Sequence, residues 1–208
     1  MVEPGKSESH IVDGSVTTDD YLATITIGAR EPLNGTIYLA PHDPVWASRF
    51  IALANRVRDA LAEKVLLLEH VGSTSVPGLS AKPVIDMVLA VSDSADEPSY
   101  VPALKSQGFV LRVREPDWFK HRLFTCPDID GNLHVFTFGC EEIQRMLVLR
   151  DWLRTHEDER RKYENTKREL ASRTWKHVQN YADAKSEVVR EILGRAVKEL
   201  GLNLVPSA

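Results

Sequence analysis

Residues 65–91 read Val-Leu-Leu-Leu-Glu-His-Val-Gly-Ser-Thr-Ser-Val-Pro-Gly-Leu-Ser-Ala-Lys-Pro-Val-Ile-Asp-Met-Val-Leu-Ala-Val. Two aliphatic runs of strand length, Val65–Glu69 and Pro83–Val91, flank a loop of Gly, Ser, Thr and Pro. The second run is almost continuously aliphatic, the pattern of a strand covered on both faces. It carries a single carboxylate, Asp86. Gly72 admits backbone conformations closed to other residues, so its N–H can come close to a phosphate. Ser73, Thr74 and Ser75 add hydroxyl donors, and Lys82 adds positive charge. A helical turn beginning near Ser75-Val76-Pro77 would aim free N–H groups and its dipole at an anion. A charged Asp86 among aliphatic residues needs a cation or a hydrogen-bonding partner. One such cation is Mg²⁺, which takes oxygen ligands and the phosphates of its own substrate. The same residues also fit a tight turn in which Asp86 pairs with Lys82 or Arg122, and the pattern alone does not separate the two.

Upstream of these strands, Asp43-Pro44 is a helix start, with Asp as cap and Pro in the first position. Trp46, Phe50, Leu53, Val57 and Leu61 then recur at three- and four-residue spacing, which predicts an amphipathic helix to about Glu63. Downstream, a short helix is expected over Tyr100–Ser106, and strands over Phe109–Val113, Arg122–Cys126 and Leu133–Phe138. Asp130-Gly131 between the last two is a hairpin signal. Its neighbourhood, Asp128 to Asn132, lacks the Glu and the Gly position of a calcium loop. Tyr21–Ile27 alternates in the manner of an edge strand. After Gly139 the chain is charged and strand-free, with helices expected over Glu141–Arg154, Glu157–Ser172 and about Trp175–Leu200. The fold class is therefore α/β of the mixed-sheet, α+β kind: about five strands with a helical C-terminal third. Three regions follow: an N-terminal arm over 1–36, partly ordered; an α/β core over 37–139; and a helical region over 140–208 packed on that core.

At 208 residues the chain can bury a substantial core. Its net charge of −4 argues against a general nucleic-acid binder, which carries a basic surface. No apolar run approaches the roughly 18 residues that cross a bilayer, and no basic-then-apolar leader opens the sequence. Cys126 and Cys140 have neither metal-ligand spacing nor a disulfide framework around them. A cytoplasmic protein with reduced thiols is the expectation; self-association is left open by the sequence.

The run Glu69 to Leu79, followed by Ala81-Lys82-Pro83-Val84-Ile85-Asp86, resembles the signature of the GrpB family. Leu39 to Trp46 resembles that family's start, with His42 where Tyr is common. Leu133-His134-Val135-Phe136 resembles its later strand, with Asn132 where His usually precedes it. Leu149 to Arg154 and the pairs Tyr163/Lys167 and Tyr181/Lys185 resemble its helical tail. The resemblance covers about residues 37–195. It implies the nucleotidyltransferase fold shared with polymerase beta, a nucleoside triphosphate and Mg²⁺ as ligands, and transfer of a nucleotidyl group to an unknown small-molecule acceptor. Fold by itself does not fix function.

Two-metal transfer needs carboxylates that hold two cations about 4 Å apart. Residues two apart on a strand share a face, so the partner of Asp86 would be residue 88, and that is Val. No Asp or Glu lies within Leu133–Phe138 either; His134 is the polar residue there. Nucleotidyl transfer, another phosphate-linked reaction run by His and Asp side chains, and nucleotide binding without turnover therefore all remain. The candidate catalytic residues are Asp86, also the candidate metal ligand, with His134 and His70, since histidine handles protons near neutral pH. The candidate substrate-binding residues are Gly72, Ser73, Thr74, Ser75, Lys82, Arg122, Arg150 and Lys185. Lys167 is a further cation that would reach such a cleft from the helical tail, with Tyr163 and Tyr181 on the same helix faces as the lysines four residues later.

Overall fold

The structure, a computed structural model, describes residues 17–29 and 32–205. Part of the expected 1–36 arm, residues 1–16, 30 and 31, lies outside the described residues. A helix α1 (Asp19–Ile25) is followed by α2 (Val45–Leu61), and strand β1 (Leu67–Val71) by β2 (Ile85–Val91). After α3 (Val101–Ser106) come β3 (Val110–Glu115), β4 (His121–Cys126) and β5 (Gly131–Thr137). Four helices complete the chain: α4 (Glu141–Thr155), α5 (Glu157–Ala171), α6 (Val178–Asp183) and α7 (Ser186–Leu200).

The five strands form one mixed sheet in the order β1-β2-β5-β4-β3. Only β2 and β5 run parallel; the other neighbours are antiparallel. The mixed sheet with helices and a helical C-terminal third is the fold class read from the sequence. The Asp130-Gly131 turn joins β4 to β5 with Asp130 at φ 50°. Gly131 is needed for a second reason: a Cβ there would stand 2.6 Å from Leu53 Cδ1, so the glycine lets α2 press on the sheet.

Strand alternation sorts the side chains into two faces. Leu68, Ile85, Met87, Leu89, Leu133, Val135 and Phe124 pack with α2 and α3 in the main core. The opposite face carries Val71, Val88, Ala90 and Phe136, which pack with Ile143 and Met146 of α4. A third cluster joins Val76 and Leu79 of the β1–β2 loop to Trp152, Leu153, Tyr163 and Ile192 of α4, α5 and α7. The helical third thus covers one face of the sheet and grips the Gly-Ser loop.

Three expectations are corrected. Tyr21–Ile27, expected as a strand or edge segment, is helical over Asp19–Ile25, with the Thr18 hydroxyl accepting from Tyr21 N at 3.2 Å, and only Thr26 and Ile27 pair with the edge strand β3. Thr18-Asp19-Asp20 is a cap followed by an acidic first turn, and that signal outweighs the alternation. The helix expected over Trp175–Leu200 is two helices. Ala184 and Lys185 close the first with tightened turns onto Asn180 and Ala182 carbonyls before α7 begins. The first sheet strand starts at Leu67, two residues later than expected, because Ala62–Lys64 forms a tight turn that delays it.

Candidate functional site

The C-terminal-helix face of the sheet opens into a cleft of about 550 Å³ between the strands and residues of α4, α5 and α6, with Lys185 just before α7. Asp86 and Asn132 lie side by side in the parallel β2–β5 register. Asn132 Nδ2 donates to Asp86 Oδ1 at 2.9 Å. His134, two residues along β5, shares this face and also lines the cleft. Gly72, Ser73 and Thr74 form one wall; Lys82, Arg150, Lys167 and Lys185 supply the charge.

The loop is shaped for the acid it faces. Gly72 has φ 68°. A Cβ at Gly72 would stand 2.6 Å from Asp86 Oδ2 and 3.0 Å from its Cβ. Glycine is required twice, by the backbone angle and by the carboxylate pressed against it. Gly72→Ala is expected to lower stability by about 2–3 kcal/mol, about 1 from the positive φ and the rest from displacing Asp86. Chemical denaturation checks this; an unchanged midpoint would mean that Asp86 is not held here. Ser75 closes the turn by donating to Gly72 O at 2.6 Å, and Arg154 donates from Nε and Nη2 to Ser75 O at 3.0 and 2.9 Å.

Burial is the main influence on the Asp86 carboxyl and holds it above the usual carboxylate range. Asn132, Lys82, Lys185 and Lys167 pull it back down. A small part of Asp86 meets the cleft, but protein surrounds it on every other side, so desolvation dominates. The Lys167 ammonium, 1% exposed, is lowered to about 7 by burial and then by Lys185. It donates to Ser80 O and lies 5.1 Å from the Tyr163 ring centre. Lys185 lies 4.5 Å from the ring centre of Tyr181. The Tyr181 hydroxyl is buried without a hydrogen-bond partner among the described residues.

The expected residues divide into two groups. Asp86, His134, Gly72, Ser73, Thr74, Lys82, Arg150 and Lys185 come together in the cleft. Arg150 is already engaged, donating to Glu69 Oε2 at 2.8 Å and His70 O at 3.0 Å and pairing with Asp151. Three others do not join them. His70 is opposite Met87 in the β1–β2 register, so its ring points to the other face and stacks on Phe50. It meets Thr74 Oγ1 at 3.0 Å from behind the loop, and burial lowers it to about 4. Since Thr74 donates to Val84 O, its oxygen accepts from His70 Nε2–H, which is a supporting contact. Arg122 also lies on the α2 side and pairs with Glu97 at 2.6 Å, not with Asp86 or Glu69. The Ser75 side chain is spent inside its own turn. Asn132 and the Glu115–His121 pair next to His134 escaped the sequence reading. Alternation placed Asn132 on the His134 face, but only the register sets it beside Asp86.

The donor set does not fit a resident Mg²⁺. Among the described residues no group of three or more His, Cys, Asp or Glu side chains is placed to hold a metal ion. Among the described residues Asp86 is the one carboxylate lining the cleft, and Lys82, Lys167 and Lys185 line it too. Lysine side chains beside a lone carboxylate favour an anionic ligand over a bare dication.

The chain is 54% identical over 179 residues to a UPF0157 protein of Halalkalibacterium halodurans, covering 86% of this chain and 92% of that one. The crystal structure of the conserved protein GrpB from Enterococcus faecalis superposes with a TM-score of 0.69 at 26% identity, covering 79% of this chain and 99% of that one. A dephospho-CoA kinase of Mycolicibacterium paratuberculosis is 26% identical over 196 residues, covering 82% of this chain but 48% of the kinase. The sequence model of the GrpB protein family matches residues 36–195, and the chain belongs to that family.

Proposed function

We propose that the cleft binds a nucleotide-sized phosphate ligand through lysine side chains and the Gly72–Thr74 loop, without a metal held by the protein. The observation that carries this reading is that Lys82, Lys167 and Lys185 line one cleft with Gly72, Ser73 and Thr74 and a single carboxylate. Leu39, Met146, Leu149 and Leu153 offer an apolar wall for a base or another apolar part of the ligand. Asp86 and His134 are the groups beside it able to accept a proton. With one carboxylate, phosphate-linked chemistry run by these two side chains is favoured over two-metal nucleotidyl transfer. The acceptor would be a small molecule, and the proposed setting is the cytoplasm. No helix among the described residues is long and apolar enough to cross a membrane.

A second reading concerns which nucleotide. The chain spans about half of a relative named dephospho-CoA kinase. It carries no Gly-x-x-x-x-Gly-Lys-Ser/Thr phosphate loop of its own. A ligand of the coenzyme A type, a phosphorylated adenosine with a long flexible arm, would suit both the lysines and the apolar wall.

A thermal-shift panel of nucleoside triphosphates, dephospho-CoA and CoA, each with Mg²⁺ and with EDTA, tests both readings. At least one ligand is expected to raise the melting temperature in EDTA; at a hundredfold excess over Kd the stabilisation is about 2.7 kcal/mol. Lys185→Met is expected to weaken that ligand about ten- to hundredfold, the worth of one charge-assisted contact. No shift with any compound would sink the proposal. A shift that needs Mg²⁺ and vanishes in Asp86→Asn would overturn its metal-free part.

A further inference from the structure

A chain of hydrogen bonds leads away from the cleft behind His134. His134 Nδ1 and His121 Nε2 are 3.1 Å apart. Their ring centres are 5.2 Å apart and their planes differ by 17°, the arrangement of two rings joined edge to edge by an in-plane N–H···N bond. His121 Nδ1 stands 2.7 Å from Glu115 Oε2. Tyr21 Oη donates to Glu115 Oε1 at 2.7 Å. Trp118 packs edge-on against the His121 ring and Phe136 stacks on it, leaving it 4% exposed. Four residues from α1, β3, β4 and β5 thus form a line whose inner end is His134 in the cleft.

The geometry points to a proton relay in which His134 Nε2 is the proton acceptor of the cleft, and Tyr21, Glu115 and His121 are the positioning residues behind it. The direction follows from counting protons. A Glu115 carboxylate that accepts from Tyr21 on one oxygen takes the His121 Nδ1–H on the other. With His121 in its neutral form, the lone pair lies on Nε2, and His134 then places its proton on Nδ1. The lone pair of His134 is left on Nε2, the ring nitrogen not engaged by His121. When a ligand hydroxyl or a water gives its proton to Nε2, the Nδ1 proton passes to His121 Nε2. His134 ends neutral and His121 ends as an imidazolium against the Glu115 carboxylate; one proton has entered and none is lost.

The relay answers a difficulty that His134 has on its own. Burial and the neighbouring His121 lower His134 to about 3, too low for a cation to form there near neutral pH. Moving the charge one ring outward puts it beside a carboxylate. The charged and polar groups facing His121 are Glu115 from β3, His134 from β5 and, through its own backbone carbonyl, Arg122 Nη1.

This inference rests on the cleft reading only for what meets Nε2, so its test uses no ligand. Long-range ¹H–¹⁵N spectra of the full chain, labelled at histidine and recorded at mildly alkaline pH, report which ring nitrogen of His134 carries the proton. The expected result is a single Nδ1–H tautomer. His121→Phe removes the acceptor and is expected to abolish it in favour of Nε2–H; His121→Gln, which keeps an acceptor oxygen, is expected to restore it. An Nε2–H tautomer in the unmutated protein overturns the relay. So does an Nδ1–H tautomer that survives His121→Phe. A protein that binds no nucleotide leaves this result standing, and a failed relay leaves nucleotide binding standing.

Discussion

Val88→Asp, which rebuilds the two-acid strand of a metal-dependent nucleotidyltransferase, is expected to destabilise the protein by about 3–5 kcal/mol and to create no magnesium site. Val88 is fully buried among Val71, Ala90, Phe136 and Ile143. A carboxylate there either stays charged in an apolar cluster or takes up a proton, and both cost free energy. The substitution also forfeits about 1.5–3 kcal/mol of apolar burial. Arg150, the cation across β1, is already bound to Glu69, the residue paired with Val88, and to Asp151. The total is a large part of the 5–15 kcal/mol that holds a typical domain folded. Chemical denaturation beside Val88→Ala separates the charge from the cavity. A Val88→Asp variant as stable as the parent, with binding that has become Mg²⁺-dependent, would show that position 88 belongs to the cleft wall and not to the core.

That expectation explains why the motif reads as it does. Asp86 and residue 88 share a sheet face, as strand periodicity requires. They do not share an environment, because α4 begins to cover the sheet between them. From sequence, Val88 registers as a missing acid; in the fold it is the first core residue under a helix. The Gly72 loop, the lone Asp86 and the Asp130-Gly131 turn were legible because each depends on local backbone chemistry. His70 and Arg122 were misplaced for the opposite reason. Both stand next to residues of the cleft face, and a strand sends neighbours to opposite sides. Knowing that β1 presents Val71 to Asp86 fixes His70 on the far face, but that register is set by pairing with β2 and is not written in β1 alone. The Glu115–His121–His134 line was hidden more deeply. Its members come from three strands, with Tyr21 from a helix about 90 residues upstream of Glu115, and no spacing in the chain brings them together.

Ligand binding at about pH 8 is expected to draw protons from solution, and Lys167 to be their main destination. Its ammonium is lowered to about 7 by burial, then by Lys185, while in the unfolded chain a lysine titrates near 10.4. Between those values the unfolded chain holds a proton that the folded chain lacks. The Lys167 contribution to stability therefore rises with pH across that window, by about 1.4 kcal/mol per pH unit, and is least favourable below it. Lys167→Met is expected to remove this slope and to stabilise the unliganded protein near neutral pH, since the buried amine is replaced by an apolar chain of similar length. A polyphosphate in the cleft reverses the balance by supplying the negative charge that the buried ammonium lacks, so Lys167 regains its proton as the ligand binds. Calorimetric titration with the stabilising nucleotide, in buffers of different ionisation enthalpy, measures the protons taken up. The unmutated protein should take up close to one, and Lys167→Met distinctly fewer, with binding weaker at pH 8. Equal uptake in both would mean that Lys167 is a structural amine fixed on Ser80. No uptake in either would mean that the lysines are not where the phosphates go.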